Sequence, residues 1–341
     1  MISASRARPP SSTAFKYLHG FNFTRAVTEY GYNSEQHTVI TEDGYILTVF
    51  RLLPPKKCLG KTRKPPVLLM HGLLLSADSW IVAGPNIGLG YLITDLCFDL
   101  WIGNSRGNTY SRKHITLNPD KNLEFWNYSY TEFGRYDLSA MIDYILEATG
   151  SDNNNNNKNG LIAKSLDCHL ERLSLGGWVK GQIQKAALLD TARIVRRFLD
   201  QLGSITTCIN FTSERTIKDA YKTFPSGTSV KNIAHIGQLL QSYGFKKYDY
   251  ADEKNIKIYG ASKPPSYDLS RVSTPVVVFY GLNDALVDPK DISWLVKQLP
   301  NVLEVYQVAD PMWNHEDFTY CKFVKDLLLP KIKEYLVKCS I

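Results

Sequence analysis

The chain has 341 residues, of which 44% are hydrophobic and 21% charged, and its formal net charge is +7. These fractions exclude a disordered chain, and the length allows one large α/β domain or a core with an inserted cap. Part of the positive charge lies between Lys56 and Lys64, in a run that we interpret as a solvated loop. No nucleic-acid-binding motif accompanies this charge, so we predict no nucleic-acid partner.

Targeting and cofactor signals are sparse. The most apolar stretch, residues 67–77, is too short to cross a membrane, so no transmembrane segment is predicted. Residues 1–20 are predicted to be a disordered tail, with no apolar run typical of a signal peptide. The six cysteines do not indicate a disulfide scaffold, and they show no C-x-x-C spacing. We therefore expect no zinc site, no redox motif and no cofactor, and the compartment stays open.

The first part of the chain alternates between strand and helix patterns. In chain order the predicted elements are a helix over 23–30, two strands around a turn at 42–44, a buried strand in PPVLLMHG, a helix over 87–96, a second buried strand in CFDLWIGNSRG, and an amphipathic helix in YDLSAMIDYILEATG that ends at Gly150. Continuous apolar runs such as PPVLLM are typical of strands buried on both faces of a parallel sheet.

The alternation stops at SDNNNNNKNG, a polar low-complexity segment that predicts a loop, and returns near the end of the chain. Later predictions are a helix in GWVKGQIQKAALLDTARIVRRFLDQLG, a cap in the aromatic segment 204–272, a strand in TPVVVFYG, a helix over 293–299, a strand in VLEVYQV and a final helix over 323–337. Repeated strand–helix units indicate a doubly wound α/β sheet. We divide the chain into the tail (1–20), the N-terminal part of the core (21–150), a polyasparagine loop with a reduced cap (151–270), and the C-terminal part of the core (271–341).

Two residues that follow predicted strands form a candidate catalytic pair. Asp284 comes just after the strand that ends at Tyr280, and His315 follows the next strand, 31 positions later. Loops at the carboxyl ends of parallel strands are where open α/β sheets build their sites. An aspartate there orients a histidine and stabilises its imidazolium form, and the order Asp then His is that of α/β-hydrolases. Alone, either residue is also consistent with an ordinary loop side chain.

A third candidate follows the first buried strand, at His71-Gly72-Leu73. Hydrolases of this type place an oxyanion-binding amide in this loop, and Gly72 permits the turn that points the Leu73 N–H at a developing oxyanion.

These pieces and the stretches between them resemble the acid (gastric/lysosomal) lipase family, including its insect members. The motifs that carry the resemblance are GYNSEQHTVITEDGYILTVFRLLP, PPVLLMHGLLLSADSW, DLWIGNSRGNTYSR, YDLSAMIDYIL, PSGTSVKN, PPSYDL, GLNDALVDPKD and WNHEDF. The resemblance implies an α/β-hydrolase core with an inserted cap, and hydrolysis of acylglycerols or sterol esters at a lipid–water interface. It also implies Asp284 as the triad acid, His315 as the general base and Leu73 as an oxyanion amide. Family members are typically secreted or lysosomal.

The chain departs from the family at the nucleophile. After Gly150 the family has a buried strand that runs into G-H-S-Q-G, and we expect no such segment here. Ser105, in Gly103-Asn104-Ser105-Arg106-Gly107, follows the strand directly after the His71 loop, one strand too early for a nucleophile. Ser174 precedes a predicted helix, but Arg172 stands where an elbow tolerates only a very small residue, and Ser165 fits worse still, with Asp167 two positions later. Both Ser105 and Ser174 are therefore weak candidates.

Three hypotheses follow. The chain is an acid-lipase-type esterase; or it is a catalytically inactive relative that binds lipid or a partner protein through the cap; or it is an incomplete product of a lipase gene. They differ in whether any serine is activated by His315.

Overall fold

The computed structural model describes residues 21–58, 65–150, 162–165, 213–242, 244–284 and 286–338. The predicted tail, the polyasparagine loop and the helix predicted in GWVKGQIQKAALLDTARIVRRFLDQLG lie outside the described residues. The division of the chain into tail, core and cap therefore stays a prediction.

A mixed sheet forms the centre of the N-terminal part. Its strands are β1 (Ser34–Ile40), β2 (Tyr45–Leu52), β3 (Pro66–Met70), β4 (Asp99–Ile102), β5 (Lys113–His114) and β6 (Ile162–Ser165). The strand order is β1-β2-β4-β3-β6, with β5 paired to β2. The β1–β2 and β2–β4 pairs are antiparallel, whereas β4, β3 and β6 run parallel. The crossovers that parallel pairs require give the α/β class predicted from the sequence.

The two faces of this sheet carry separate apolar clusters, as the pattern in PPVLLM predicts. On β3, Val67 and Leu69 belong to one cluster, while Leu68 and Met70 belong to the other. All four side chains are at most 9% exposed. Because successive strand residues point to opposite faces, a strand buried on both sides must be apolar at every position.

Helices cover the sheet and extend beyond it. In the described parts of the chain, the α-helices are α1 (Phe23–Glu29), α2 (Leu89–Asp95), α3 (Tyr130–Glu132), α4 (Ser139–Thr149), α5 (Glu214–Thr223), α6 (Val230–Gln241), α7 (Asp252–Tyr259), α8 (Pro289–Gln298), α9 (Asp317–Tyr320) and α10 (Leu329–Lys338). A π-helical stretch, Phe133–Leu138, joins α3 to α4, and another, Val324–Leu328, leads into α10. Gly150 ends α4 with a φ of 64°, the left-handed C-cap predicted from the sequence. Within the described residues, no helix is long and apolar enough to span a bilayer.

A second, two-stranded parallel sheet carries the C-terminal candidate residues. It pairs β7 (Val276–Tyr280) with β8 (Val302–Gln307). This sheet contacts the core of the first one, since Phe279 of β7 and Tyr306 of β8 pack against the apolar cluster that contains residues of β3 and β4. Consequently both sheets contribute to one packed core.

Two expectations from the sequence need correction. We expected no strand between Gly150 and the cap, yet β6 lies parallel to β3, with Ser165 level with Met70. The missed strand is only four residues long and ends in Lys164 and Ser165, so its apolar pattern is weak. The helix predicted to begin at residue 293 begins at Pro289, where the Asp288 side chain caps it by accepting from the Lys290 N–H at 2.8 Å.

A disulfide between described residues ties the loop after β2 to the turn before β4. Cys58 and Cys97 are bonded across a sequence separation of 39 residues, with their Cα atoms 5.5 Å apart. The cysteine spacing did not reveal this pair. Its effect is to limit how far the segment 59–96 can open in the unfolded chain.

Candidate active site

Asp284 lies in the turn after β7, where two backbone amides fix its carboxylate. Its Oδ1 accepts hydrogen bonds from the N–H groups of Leu286 and Val287, at 2.9 and 2.8 Å. The Asp284 side chain is 6% exposed. Because Oδ1 is held by the backbone, Oδ2 has a defined direction.

That second oxygen faces His315, in the loop after β8. The His315 Nδ1 donates to Asp284 Oδ2 at 3.1 Å, and the His315 side chain is 18% exposed. The structure therefore brings together the two residues that the sequence placed on successive strand exits. An imidazole held through Nδ1 leaves Nε2 as the atom able to take a proton from a substrate or nucleophile.

The two loops are also joined through their backbones, which sequence reasoning missed. The Asn283 N–H donates to the Trp313 carbonyl at 3.1 Å, and the Asn283 side-chain amide donates to the Met312 carbonyl at 3.1 Å. A Cβ on Gly281 would lie 2.2 Å from the Trp313 carbonyl oxygen, so only glycine allows this approach. A glycine directly after a strand was the available signal.

The next turn of chain encloses His315. Asn314 and Asp317, which are 0% and 2% exposed, exchange hydrogen bonds across it. Burial raises the pKa of Asp317 to about 6; the Asn314 N–H opposes this shift, and the nearby Asp310 and Asp284 carboxylates add to it. Neither residue was among the site residues predicted from the sequence.

A pocket opens beside the Asp284–His315 pair. It contains about 690 Å³ of empty space, part of it open to solvent. Both members of the pair and the loop after β3 line it, and most of the other lining side chains are apolar or aromatic. The lining residues are Gly72, Leu75, Ser79, Trp80, Phe279, Tyr280, Asp284, Val287, Ile292, His315, Glu316, Phe318 and Thr319. An apolar pocket with a few convergent polar groups is the usual form of a small-molecule site.

The loop after β3 supplies a backbone donor near this pocket. Gly72 to Leu75 form a turn in which the Leu75 N–H donates to the Gly72 carbonyl at 3.1 Å. The left-handed conformation in this turn falls at Leu74, with φ 61°. In the part of the chain that the structure describes, the Leu73 N–H has no hydrogen-bond acceptor. It is therefore able to donate to a bound group.

Ser105 lies in the loop after β4. In the sheet, β4 is on the opposite side of β3 from β6, and Ser105 is not among the pocket-lining residues. Its backbone N–H donates to His71 Nε2 at 3.0 Å, and the Asn108 amide lies 3.1 Å from the same nitrogen. His71 Nε2 is thus an acceptor, and its Nδ1 carries the proton directed at the Gly72 carbonyl at 2.8 Å.

Arg106, the residue after Ser105 in the GNSRG motif, is the centre of a buried ion-pair network. Arg106 is 1% exposed and is bound by two carboxylates: Asp43 through its terminal nitrogens at 2.6 and 2.9 Å, and Asp137 through Nε at 2.7 Å. The Arg106 guanidinium also lies 3.9 Å from the centre of the Tyr45 ring. This network joins β4 to the β1–β2 turn and to the π-helical stretch, which is a structural role for the motif.

The other weak candidate, Ser174, lies outside the described residues. Ser165 is the last residue of β6, in the strand next to β3.

No group of three or more His, Cys, Asp or Glu within the described ranges is arranged to hold a metal ion.

Comparisons with known proteins show which family the chain belongs to. Residues 23–84 match the profile of a partial alpha/beta-hydrolase lipase region, and residues 65–155 match that of the alpha/beta hydrolase fold. Lipase 1 of Drosophila melanogaster is 32% identical, with 92% of this chain and 79% of that protein covered. Human gastric triacylglycerol lipase is 33% identical, with 88% and 86% of the two chains covered. Human lysosomal acid lipase/cholesteryl ester hydrolase is also 33% identical, with the same shares of both chains covered.

The fold is therefore that of an α/β-hydrolase, with the Asp284–His315 contact at the carboxyl end of its parallel strands. More narrowly, the lengths and identities of these matches show that the chain belongs to the acid lipase family. This confirms the resemblance predicted from the sequence motifs.

Proposed function

We propose that this protein hydrolyses the carboxylic ester bonds of lipids, with acylglycerols or sterol esters as the substrate class. The observation that carries the proposal is the hydrogen bond between His315 Nδ1 and Asp284 Oδ2, 3.1 Å long, at the edge of an apolar pocket. Two of the relatives are a triacylglycerol lipase and a cholesteryl ester hydrolase, and these activities support the substrate class.

The roles of the pair follow from their surroundings. Asp284 accepts two backbone N–H groups and has one oxygen left for His315, so its carboxylate keeps the imidazole in the tautomer with a bare Nε2. His315 then accepts the proton of an attacking hydroxyl and later returns it to the leaving alcohol, while Asp284 stabilises the imidazolium. The pair thus supplies the acid–base part of ester cleavage.

The charge that develops on the ester oxygen needs donors of its own. The Leu73 N–H has no acceptor within the described residues and follows Gly72, which lines the pocket. A preorganised backbone donor of this kind contributes about 3 kcal/mol to the stabilisation of a tetrahedral oxyanion. We therefore assign Leu73 as one oxyanion donor.

The nucleophile is the group that the experiment must identify. The protein is treated with a fluorophosphonate, which reacts with activated serines, then digested, and the labelled peptide is found by mass spectrometry. We expect one labelled serine, loss of the label in H315A, and cleavage of a triacylglycerol emulsion. In D284N, kcat should fall by about 10⁴-fold, because the imidazole loses its orienting carboxylate.

The labelled position also separates the earlier hypotheses. A label on Ser165 puts the nucleophile at the end of β6, and a label on Ser174 or Ser105 confirms one of the weak candidates. Absence of both label and hydrolysis contradicts the proposed function, and retained binding of lipid vesicles would then favour an inactive lipid-binding protein.

A further inference from the structure

The turn that carries His315 is closed by a reciprocal pair of hydrogen bonds between Asn314 and Asp317. The Asn314 N–H donates to Asp317 Oδ2 at 2.8 Å, and the Asp317 N–H donates to Asn314 Oδ1 at 3.2 Å. The Glu316 N–H donates to the same Asn314 oxygen at 3.0 Å. This arrangement resembles a capping box, in which residues three apart satisfy each other's backbone amides. Here the closed ring contains the backbone of His315.

Neither partner contributes to the pocket directly. Asn314 and Asp317 are at most 2% exposed and are absent from the pocket lining, whereas His315 and Glu316, between them, are part of it. A buried carboxyl group without a cation is unfavourable by several kcal/mol unless hydrogen bonds compensate. Among the described residues, the donor to the Asp317 carboxylate is the Asn314 N–H. The arrangement is therefore suited to holding a backbone shape and not to binding a ligand.

On the other side of His315, the chain is already fastened to the Asp284 loop. Asn283 donates to the carbonyls of Met312 and Trp313, and Gly281 packs directly against Trp313. The segment that enters His315 thus moves with the Asp284 loop. The Asn314–Asp317 closure extends this order through His315 to the start of α9.

We propose that Asn314 and Asp317 are positioning residues that fix the backbone on both sides of His315 and so hold its imidazole against Asp284. The inference rests on the proposed function, because the alignment matters for ester cleavage. A hydrogen bond of 3.1 Å leaves little room for the imidazole to move before the contact is lost. A displacement of about 1 Å in a catalytic group lowers the rate by about 100-fold.

The test compares N314A, D317A and D317N with a matched control, N255A. Asn255 is also fully buried and orders a turn, accepting from the Tyr250 N–H at 2.9 Å and donating to the Ser262 carbonyl at 2.7 Å, but it lies in the cap region. D317N keeps an oxygen that accepts from the Asn314 N–H and so serves as the conservative rescue. Far-ultraviolet circular dichroism and urea unfolding establish which variants fold.

Two readouts are used. The first is the low-field proton resonance of the His315–Asp284 hydrogen bond, assigned by its loss in D284N. The second is kcat and KM for a water-soluble p-nitrophenyl ester. We expect N314A and D317A to lose the resonance and about 100-fold in kcat with KM little changed, while D317N and N255A keep both.

Retention of the resonance and of kcat in folded N314A and D317A would overturn the proposal, as would an equal loss in N255A. Lack of the resonance in the wild-type protein would overturn it as well. If the wild-type protein shows the resonance but cleaves no ester, the proposed function fails, and the resonance in the variants still decides whether Asn314 and Asp317 position His315.

Discussion

The backbone amide of Ser105 donates a hydrogen bond to Nε2 of His71, at 3.0 Å. This bond joins the loop after β4 to the loop after β3, which carries Gly72 and Leu73. It uses the main chain of Ser105 and not its hydroxyl. The contact places the serine of the G-x-S-x-G sequence next to the loop after β3, although this serine does not line the pocket.

From this relationship we predict that S105A leaves kcat/KM for a soluble ester within about twofold of wild type, because the Ser105 side chain does not line the pocket and its backbone bond to His71 survives the substitution. H71A should lower the free energy of unfolding by about 1–3 kcal/mol, since the Ser105 N–H and the Asn108 amide both lose an acceptor. Steady-state kinetics and urea unfolding measure the two effects. A loss of kcat by several orders of magnitude in S105A would instead make Ser105 the nucleophile.

Arg106 gives a prediction about stability alone. Its side chain binds Asp137, which is 0% exposed, and Asp43, so R106A leaves a buried carboxylate without its cation. Breaking a buried pair by removing one partner lowers the free energy of unfolding by about 3–5 kcal/mol. The control is R112A, which removes the exposed pair with Asp120 and should change stability far less than R106A does, because solvent screens that pair. Similar losses in both variants, measured by urea unfolding, would show that the Arg106 network contributes little.

Much of the core could be predicted because its signals are local. The apolar run of β3 predicts burial on both faces, and Val67 and Leu68 do pack into opposite clusters. Asp288 followed by Pro289 is a helix start signal that was present in the sequence and overlooked. The β6 strand was missed because four residues ending in Lys164 and Ser165 carry too little pattern to distinguish a strand from a loop.

The candidate site divides in the same way. Asp284 and His315 were predictable as neighbours, because exits of adjacent parallel strands meet at one edge of a sheet. The Asn283–Trp313 contact and the Asn314–Asp317 closure were not, since each depends on how two loops fold against each other. Likewise, the Cys58–Cys97 pairing follows from three-dimensional proximity, which sequence spacing does not encode.

That disulfide provides a third prediction. Bonding Cys58 to Cys97 closes a loop with a sequence separation of 39 residues. In the chain-entropy account, a loop of this size stabilises the fold by about 4 kcal/mol, because the unfolded chain loses conformations. The double variant C58A/C97A should therefore unfold at lower urea concentration by a corresponding amount. The control is a thiol titration of both proteins after denaturation without reductant. If the wild-type protein shows two more free thiols than C58A/C97A, the bond does not form.

The last prediction concerns Asp78, a residue that is 3% exposed and directly precedes the pocket-lining Ser79. Burial raises its pKa from 3.8 to about 6, although the Tyr110 and Ser76 hydroxyls donate to it and oppose the shift. The folded protein therefore binds this proton more tightly than the unfolded chain does. Ionising Asp78 destabilises the fold above about pH 6, and the penalty disappears as the pH falls below 4.

In D78N the amide oxygen still accepts from Tyr110, but no charge is buried. The free energy of unfolding of D78N minus that of wild type should therefore rise by about 3 kcal/mol between pH 4 and pH 7, following two pKa units at about 1.4 kcal/mol each. The difference between the two proteins isolates Asp78, because the pKa values of Asp137 and Asp317 are also raised to about 6. D120N is the opposite control, since Arg112 lowers the pKa of the exposed Asp120 and its replacement should reverse the sign of the trend. A pH-independent difference between D78N and wild type would mean that Asp78 titrates alike in the folded and unfolded chains.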